Sequence, residues 1–296
     1  MEKPTILHFI TPAKNVSPFD INMATDAGYN TIASYTNVLP NEVMGLVQDA
    51  IFSRGPRGVK RTGMLIGGRD IDVAMDMLDT AKKSMVPPFE ISVFADPSGA
   101  FTTAAGMMAA VERQLKSRFG GDLSGRKVSI FGATGPVGGC TAVIAAKFGA
   151  TVELVAHRSL ADVQVKTEVY NKRYGTSIGY TDGSSDELKK NILHSTDVAL
   201  CAAAAGVRVI TLAQMAGSPT LKVVADVNAV PPTGAEGVDV MADGVAIPGT
   251  NAVGVGALAI GNIKYQTQHN LFKKMLETEK PVYLDFLAAF ELARNL

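Results

Sequence analysis

The sequence predicts an α/β protein of two domains, each built around a mainly parallel β-sheet. Its 296 residues are many for one hydrophobic core and few for three ordinary domains. Short runs rich in β-branched residues alternate with segments whose apolar residues recur three and four positions apart, which is typical of parallel strands joined by crossover helices. A polar, glycine-punctuated stretch at 120–125 interrupts this alternation, so the first domain is predicted at 1–120 and the second begins at 121.

Four strands and four helices are predicted in the first domain. The strands are 5–10, 31–35, 61–66 and 90–95. The helices are 18–28, 41–52, 70–85 and 101–118. In the third helix, Ile71, Met75 and Leu78 fall on one face, which we expect to cover a sheet.

The alternation restarts after the boundary. Strands are predicted at 127–131, 151–156, 197–202 and 222–227. Helices are predicted at 136–148, after the strand 151–156 as far as about 174, at 257–278 and at 282–295. The apolar side chains of the last helix need a surface to cover, and they are Leu284, Leu287, Ala288 and Leu292. We therefore predict that 280–296 packs back on the first domain and completes it, and that 121–279 forms the second.

Composition excludes several classes of protein. The 28 Lys and Arg residues balance the 28 Asp and Glu residues, so no nucleic-acid partner is expected. No run approaches the roughly 20 apolar residues that cross a bilayer, and no leader pattern opens the chain, which predicts a cytoplasmic protein without a membrane partner. Cys140 and Cys201 lack the spacing of a metal or redox site, and the four histidines are scattered, so no metal is expected.

A glycine loop is the most specific motif. It runs Gly132-Ala133-Thr134-Gly135-Pro136-Val137 and reaches Gly138, between a predicted strand and a predicted helix. Such a loop presents backbone N–H groups and the positive end of a helix to a pyrophosphate. The spacing is G-x-x-G-x-x-G, and a tight turn without a ligand is the alternative. Because a complete βαβ unit surrounds the loop, we predict a Rossmann-type, doubly wound NAD(P)-binding domain.

The end of the second strand of this unit bears on the choice of cofactor. An acid there accepts the ribose hydroxyls of NAD, whereas a cation accommodates the 2′-phosphate of NADP. The residues present are His157, Arg158 and Ser159, without an acid. NADP is therefore favoured and NAD remains open, with a solvated loop arginine as the alternative for Arg158.

Three further segments are predicted to contact the cofactor, because each follows a strand of the same sheet or opens a helix beside it. Packing of helix against sheet is the alternative for the small residues among them. The predicted contacts are Ala203, Ala204, Asp226, Asn228, Gly256 and Leu258.

Taken together, these motifs resemble those of the NAD(P)-dependent methylene-tetrahydromethanopterin dehydrogenases, which are related in fold to methylene-tetrahydrofolate dehydrogenases. The markers, in chain order, are Ser17-Pro18-Phe19-Asp20, Asp96-Pro97-Ser98-Gly99, Thr102-Thr103-Ala104-Ala105, the glycine loop, Ala225-Asp226-Val227-Asn228-Ala229 and the segment from Gly256 to Lys264. The resemblance covers nearly the whole chain. It implies a hydride transfer from the methylene carbon of a reduced pterin to NADP or NAD, in one-carbon metabolism and formaldehyde oxidation of the kind found in methylotrophy.

The resemblance also implies a substrate cleft between the domains, completed by a neighbouring subunit in a homotrimer. Phe19 matches an aromatic residue that packs against the pterin, and Lys264 matches an active-site lysine. Some relatives carry a histidine four residues beyond that lysine, where this chain has Gln268 as a hydrogen-bonding contact. The remaining predicted substrate contacts are Asp20, Asp96, Ser98, Thr102 and Thr103.

Two other functions remain open on the sequence. The pterin could be methylene-tetrahydrofolate, with or without cyclohydrolase activity. A regulatory protein could bind NADP without turnover. Without the resemblance, Phe19 is expected in a core and Lys264 on an exposed helix surface.

Overall fold

The computed structural model describes residues 3–296, which form two compact α/β units. One unit comprises the described residues up to Thr102 together with Tyr265–Leu292, and the other comprises Thr103–Lys264 with Ala293–Leu296. The boundaries after Thr102 and after Lys264 fall inside long helices and not in the glycine-rich stretch at 120–125, which is a turn between a helix and a strand. The unit boundaries at 102 and 264 therefore lie earlier in the chain than the predicted domain boundaries at 120 and 279.

The strands of the described residues are numbered in chain order. They are β1 Ile6–Ile10, β2 Thr31–Tyr35, β3 Thr62–Ile66, β4 Ser92–Ala95, β5 Lys127–Phe131, β6 Thr151–Ala156, β7 Gly179–Asp182, β8 Val198–Cys201, β9 Val223–Asp226, β10 Asp243–Ala246, β11 Val253–Val255 and β12 Tyr283–Leu284.

The helices are numbered in the same way. They are α1 Pro18–Asp26, α2 Val43–Phe52, α3 Pro56–Val59, α4 Ile71–Lys83, α5 Ala100–Arg118, α6 Pro136–Lys147, α7 Leu160–Tyr174, α8 Asp186–Leu193, α9 Leu212–Met215, α10 Ala257–Glu277 and α11 Phe286–Ala293, with short 3₁₀ turns at Pro40–Glu42 and Pro97–Gly99.

The first unit contains a five-stranded sheet in the order β12-β4-β3-β1-β2, and all its pairs are parallel. Every residue of β3 and β4 is buried, as expected for strands covered on both faces. Ile71, Met75 and Leu78 of α4 are buried together, which confirms the predicted face.

The C-terminal segment belongs to this sheet, although its predicted structure is partly wrong. The chain forms strand β12 before α11 begins, whereas a continuous helix from 282 was expected. Asp285 ends the strand and accepts the amide N–H groups of Leu287 and Ala288, at 2.9 and 3.0 Å, so its carboxylate starts the helix. The buried face of α11 is consequently Phe286, Ala289, Phe290 and Ala293.

The second unit contains a seven-stranded sheet in the order β10-β11-β9-β8-β5-β6-β7, in which the β10–β11 pair alone is antiparallel. From β5 the chain winds outward through β6 and β7, and it then returns to β8 on the other side of β5. This reversal between β5 and β8 is the point at which ligands bind in doubly wound sheets.

No helix of the described residues is both long and apolar enough to span a membrane. Cys140 on α6 and Cys201 on β8 are both buried. Within 3–296, no group of three or more His, Cys, Asp or Glu side chains is arranged to hold a metal ion.

Candidate functional site

A pocket of about 440 Å³ lies in the first unit, where the loops after β1, β3 and β4 meet at the carboxyl edge of the sheet. It contains two of the predicted substrate contacts, Asp20 and Ser98. Its lining residues are Phe9, Thr11, Ala13, Lys14, Asn15, Val16, Ser17, Asp20, Gly67, Gly68, Arg69 and Ser98.

Asp20 is held in this pocket from two directions. The Ser17 hydroxyl caps α1 by accepting the Asp20 amide N–H at 3.3 Å, which fixes the first turn of the helix. Gln268 of α10 then donates from Nε2 to Asp20 Oδ1 at 2.6 Å, and both side chains are buried. The fold thus brings together two predicted site residues that lie 248 positions apart.

Asp96 and Thr102, both predicted to bind substrate, are fully buried and bonded to each other. Asp96 Oδ2 accepts the Thr102 hydroxyl at 2.6 Å, while Oδ1 accepts the amides of Phe101 and Thr102 at 2.9 and 3.2 Å. These bonds satisfy the first amide groups of α5. The pair therefore builds the start of α5, and its direct contact with substrate stays a prediction.

Ser98 lies between Asp96 and Thr102 in the chain, and its backbone has a conformation that is rare for residues other than glycine. Its φ of 53° and ψ of 27° are left-handed. The hydroxyl donates to the carbonyl oxygen of Gly68 at 2.8 Å, which joins the loop after β4 to the loop after β3. Strained backbone of this kind concentrates at functional sites, and here it lies on the wall of the pocket.

Phe19, Thr103 and Lys264 are not core residues. Phe19 has 46% of its surface exposed, so the alternative that it packs in a core is wrong. Thr103 and Lys264 are half-buried. Lys264 is positioned by close packing of α5 against α10, because a Cβ at Gly106 would lie 3.0 Å from the Lys264 amide nitrogen.

The second unit has a pocket of about 260 Å³ at the carboxyl ends of β5 and β6. Six predicted cofactor contacts line it, together with three residues that have no predicted role. The predicted ones are Gly132, Ala133, Thr134, His157, Arg158 and Ser159, and the others are Val155, Asp162 and Val163.

The geometry of the loop requires glycine at position 132. Its φ of 82° favours glycine, and a Cβ there would lie 2.4 Å from the backbone of Ala202 and Ala203, after β8. Since Gly135 has no side chain to cap α6, the first amide groups of that helix are available to an anion. Pro136 and Val137 form the first turn of that helix.

Asp226 and Asn228, both predicted to contact the cofactor, are buried and organise the loop after β9. Asp226 accepts the amides of Asn228 and Ala235 at 2.9 and 3.0 Å. Burial raises the pKa of the Asp226 carboxyl, against the opposing effect of these backbone hydrogen bonds. Asn228 in turn accepts the Gly206 amide at 3.3 Å, which ties this loop to the one after β8. Cofactor contact by either side chain stays a prediction.

The remaining predicted cofactor contacts differ in their exposure. Ala203 is half-buried and Ala204 is exposed. Gly256 is buried, and a Cβ there would lie 2.1 Å from the Asp239 carbonyl oxygen, so close packing of the backbone explains this glycine. Leu258 is exposed in the first turn of α10.

The doubly wound sheet and the glycine loop at its reversal define a protein with a Rossmann-type fold. Among solved structures, the chain is similar to shikimate 5-dehydrogenase of Listeria monocytogenes, crystallised with shikimate and NAD, with a TM-score of 0.54 and 15% identity over 98% of this chain and 96% of that one. This likeness confirms the predicted fold class.

The sequence comparisons are more specific. A family model for the N-terminal region of methylene-tetrahydromethanopterin dehydrogenase matches residues 18–98. The NAD(P)-dependent methylenetetrahydromethanopterin dehydrogenase of Methylorubrum extorquens is 48% identical over 98% of this chain and 97% of its own length. The bifunctional protein MdtA of the same organism is 30% identical over 100% of both chains. The chain belongs to the methylenetetrahydromethanopterin dehydrogenase family, which confirms the resemblance drawn from its motifs.

Proposed function

We propose that the protein oxidises methylene-tetrahydromethanopterin to the methenyl form and transfers the hydride to NAD or NADP. The observation that carries this proposal is the 48% identity to the Methylorubrum extorquens dehydrogenase along nearly the full length of both chains. Two pockets, one in each unit, support it because each contains residues predicted from the family resemblance.

The pocket at Asp20 is the proposed pterin site. A pterin ring presents several N–H donors on one edge, and the buried Asp20 carboxylate is an acceptor for them. Gln268 orients that carboxylate, since it donates to one of its oxygens. The exposed ring of Phe19 supplies a flat apolar surface for the pterin.

The pocket at Gly132 is the proposed site of the adenosine half of the cofactor. The glycine loop and the start of α6 would bind the pyrophosphate, and Arg158, which lines the same pocket, would neutralise a 2′-phosphate. When bound, the nicotinamide supplies the carbon that accepts the hydride.

Hydride loss from the methylene carbon needs orientation more than it needs a base. Two amine nitrogens flank that carbon and delocalise the positive charge of the methenyl product. An ammonium beside the carbon would oppose this charge, so Lys264 acts by hydrogen-bonding and positioning the pterin. The side chains of the first pocket restrain the ring and exclude water from the reacting face.

Three finer features complete the proposal and rest on the family resemblance. The protein works as a homotrimer in which a neighbouring subunit contributes to the substrate site. It acts in the cytoplasm, in the one-carbon metabolism of methylotrophic growth. Light scattering should give three times the chain mass of 31.1 kDa, whereas a fully active monomer would contradict the trimer.

The activity is tested by following nicotinamide reduction with purified protein, each cofactor and each of two carriers, methylene-tetrahydromethanopterin and methylene-tetrahydrofolate. We expect turnover with the first carrier and a much lower kcat/KM with the second. Reactions with the carrier lacking its one-carbon unit are the control. A preference for the folate carrier would reassign the substrate, and cofactor binding without turnover would make the protein a nucleotide sensor.

A further inference from the structure

Asp162 is an acid inside the proposed nucleotide pocket that no predicted role accounts for. It lines the same pocket of about 260 Å³ as Gly132 and Arg158, and it is solvent-exposed. The second strand of this sheet ends in His157 and Arg158, without the acid that reads the adenosine ribose in many Rossmann-type domains. The missing carboxylate is therefore present in the pocket, but one helical turn further along the chain.

The start of α7 fixes the backbone of Asp162. Ser159 caps the helix by accepting the Asp162 amide N–H at 3.1 Å, which makes Asp162 the third residue of the helix. An acid at this position often closes a capping box by accepting the amide of the capping residue. In residues 3–296 the Asp162 carboxylate makes no such bond, so helix capping does not explain its presence.

The two opposite charges of the pocket are also not neutralised by each other. Arg158 and Asp162 both line it, and within the described part of the chain neither forms an ion pair or a side-chain hydrogen bond. The lining of the pocket therefore contains both an anion and a cation. A pocket that selected a 2′-phosphate alone would gain nothing from the anion, because like charges repel.

We propose that Asp162 is the residue that reads the adenosine ribose of NAD, by accepting its 2′-hydroxyl, while Arg158 reads the 2′-phosphate of NADP. The inference rests on the proposed function, since it concerns the cofactor of that reaction. Asp162 favours NAD twice: it accepts a hydroxyl hydrogen bond, and it repels the phosphate of NADP. The two side chains together give the protein affinity for both cofactors. Removing Asp162 should shift the cofactor preference toward NADP, and removing Arg158 should shift it toward NAD.

The test measures Kd for NADH and NADPH by the fluorescence of the reduced nicotinamide, without a pterin, in the intact protein and its variants. Asp162→Asn should weaken NADH and strengthen NADPH, with a combined change in the Kd ratio of about tenfold, which corresponds to one charge-assisted hydrogen bond. Arg158→Ala should weaken NADPH by about tenfold or more and leave NADH nearly unchanged. Glu168→Gln removes an exposed charge from the same helix outside the pocket and is the matched control.

Opposite shifts of the Kd ratio in the Asp162 and Arg158 variants support the assignment. Equal changes in both Kd values, or a change no larger than that of Glu168→Gln, would overturn it. Failure of this assignment can be distinguished from failure of the proposed function, because binding is measured without turnover. If the variants show the opposite shifts but the protein has no dehydrogenase activity, Asp162 still reads the ribose and the proposed reaction is wrong. A protein that binds neither nucleotide would overturn both.

Discussion

Single residues of the predicted site fall into two groups in the structure. Some face a pocket, as Asp20, Ser98 and Arg158 do. Others hold the loops that form the pockets, as Asp96 does through the start of α5 and Asp226 through the loop after β9. Residues of both groups occur in the family motifs. A reaction that requires precise positioning of the substrate depends as much on rigid loops as on direct contacts with the substrate.

The exposure of Phe19 leads to a clear prediction about binding of the pterin. Phe19→Ala should raise the KM for the pterin several-fold, because the variant loses a flat apolar contact with the ring. The cofactor Kd and the melting temperature should hold, since an exposed ring contributes little to the core. Steady-state kinetics at saturating NADP and a thermal melt are the measurements. Phe52→Ala, which removes another exposed phenylalanine, is the control, and an unchanged pterin KM with a lower melting temperature would contradict the assignment.

Lys264 is expected to affect the rate and not the cofactor. Lys264→Met should lower kcat by about tenfold to a thousandfold, which is typical when a positioning contact is lost, while the Kd for NADP holds. Rates should be measured at saturating NADP from pH 6 to 9. Lys273→Met removes an exposed lysine from the same helix and should keep full activity. Full kcat in Lys264→Met throughout this range would show that the lysine has no part in the reaction.

The sequence could predict residues that belong to contiguous motifs, and the reason is geometric. A glycine loop or a capped helix start is built by neighbours in the chain, so its chemistry is visible in a short window. The bond between Gln268 and Asp20 joins distant segments and is invisible in any window. Asp162 was missed because the ribose-reading acid is sought at the end of the strand, and its only local signal is Ser159 three residues before it.

At the scale of elements, the strands bounded by clear turns were the most predictable, whether central or at the edge of a sheet. The predicted strands 31–35, 127–131 and 151–156 coincide with β2, β5 and β6, since flanking turns bound these runs of β-branched residues. Short and partly exposed elements escaped prediction, among them β7, α8 and β10. The strand before α11 also escaped, because its two residues are extended only through pairing with β4.

Asp197 gives the second sheet a pH-dependent tie among β5, β8 and β9. It precedes β8, accepts the amide of Lys127 at 2.9 Å and pairs with Lys222 and, at 3.6 Å, with Arg126. Burial by itself would raise the pKa of the Asp197 carboxyl, but the hydrogen bonds from Lys222 and Lys127 and the charges of Lys222 and Arg126 together lower it.

Because the pKa of Asp197 is lowered in the folded state, its stabilisation is present above the unfolded value of about 3.9 and is lost as the pH falls below it. Asp197→Asn should therefore lower the free energy of unfolding at pH 7 by about 1–3 kcal/mol. The difference from the parent protein should shrink as the pH falls through 4 toward 2. Chemical denaturation across this range measures it, with Glu168→Gln as the exposed control, and a difference that does not depend on pH would contradict the linkage.

The chain forms two sheets, and the two units that contain them differ in how continuous they are in sequence. The second unit is continuous except for Ala293–Leu296, whereas the first unit needs Tyr265–Leu292 to be complete. Phe286 of α11 is fully buried and packs edge to face on Phe101, with ring centroids 5.2 Å apart. Its removal should therefore affect the first sheet most.

Phe286→Ala should destabilise the protein by about 3–5 kcal/mol, which is typical of a buried phenylalanine. Hydrogen exchange should show a larger loss of amide protection in β1, β3 and β4 than in β5, β6 and β8, because the cavity lies in the first unit. Leu287→Ala, at the half-buried neighbouring position, should show a smaller loss. An equal loss in both sheets would mean that the two units open together.

The position of β12 also has a consequence for synthesis of the chain. The hydrogen bond that Val282 donates to Ser92 spans 190 positions, so the edge of β4 remains unpaired while the main part of the second unit, Thr103–Lys264, is translated. At typical elongation rates of about 5–20 residues per second, this interval lasts roughly 10 to 40 seconds. An open parallel edge is a template for pairing with another chain. The nascent protein should therefore be most prone to aggregate, and most dependent on chaperones, after β4 has left the ribosome and before residues 282–284 follow it.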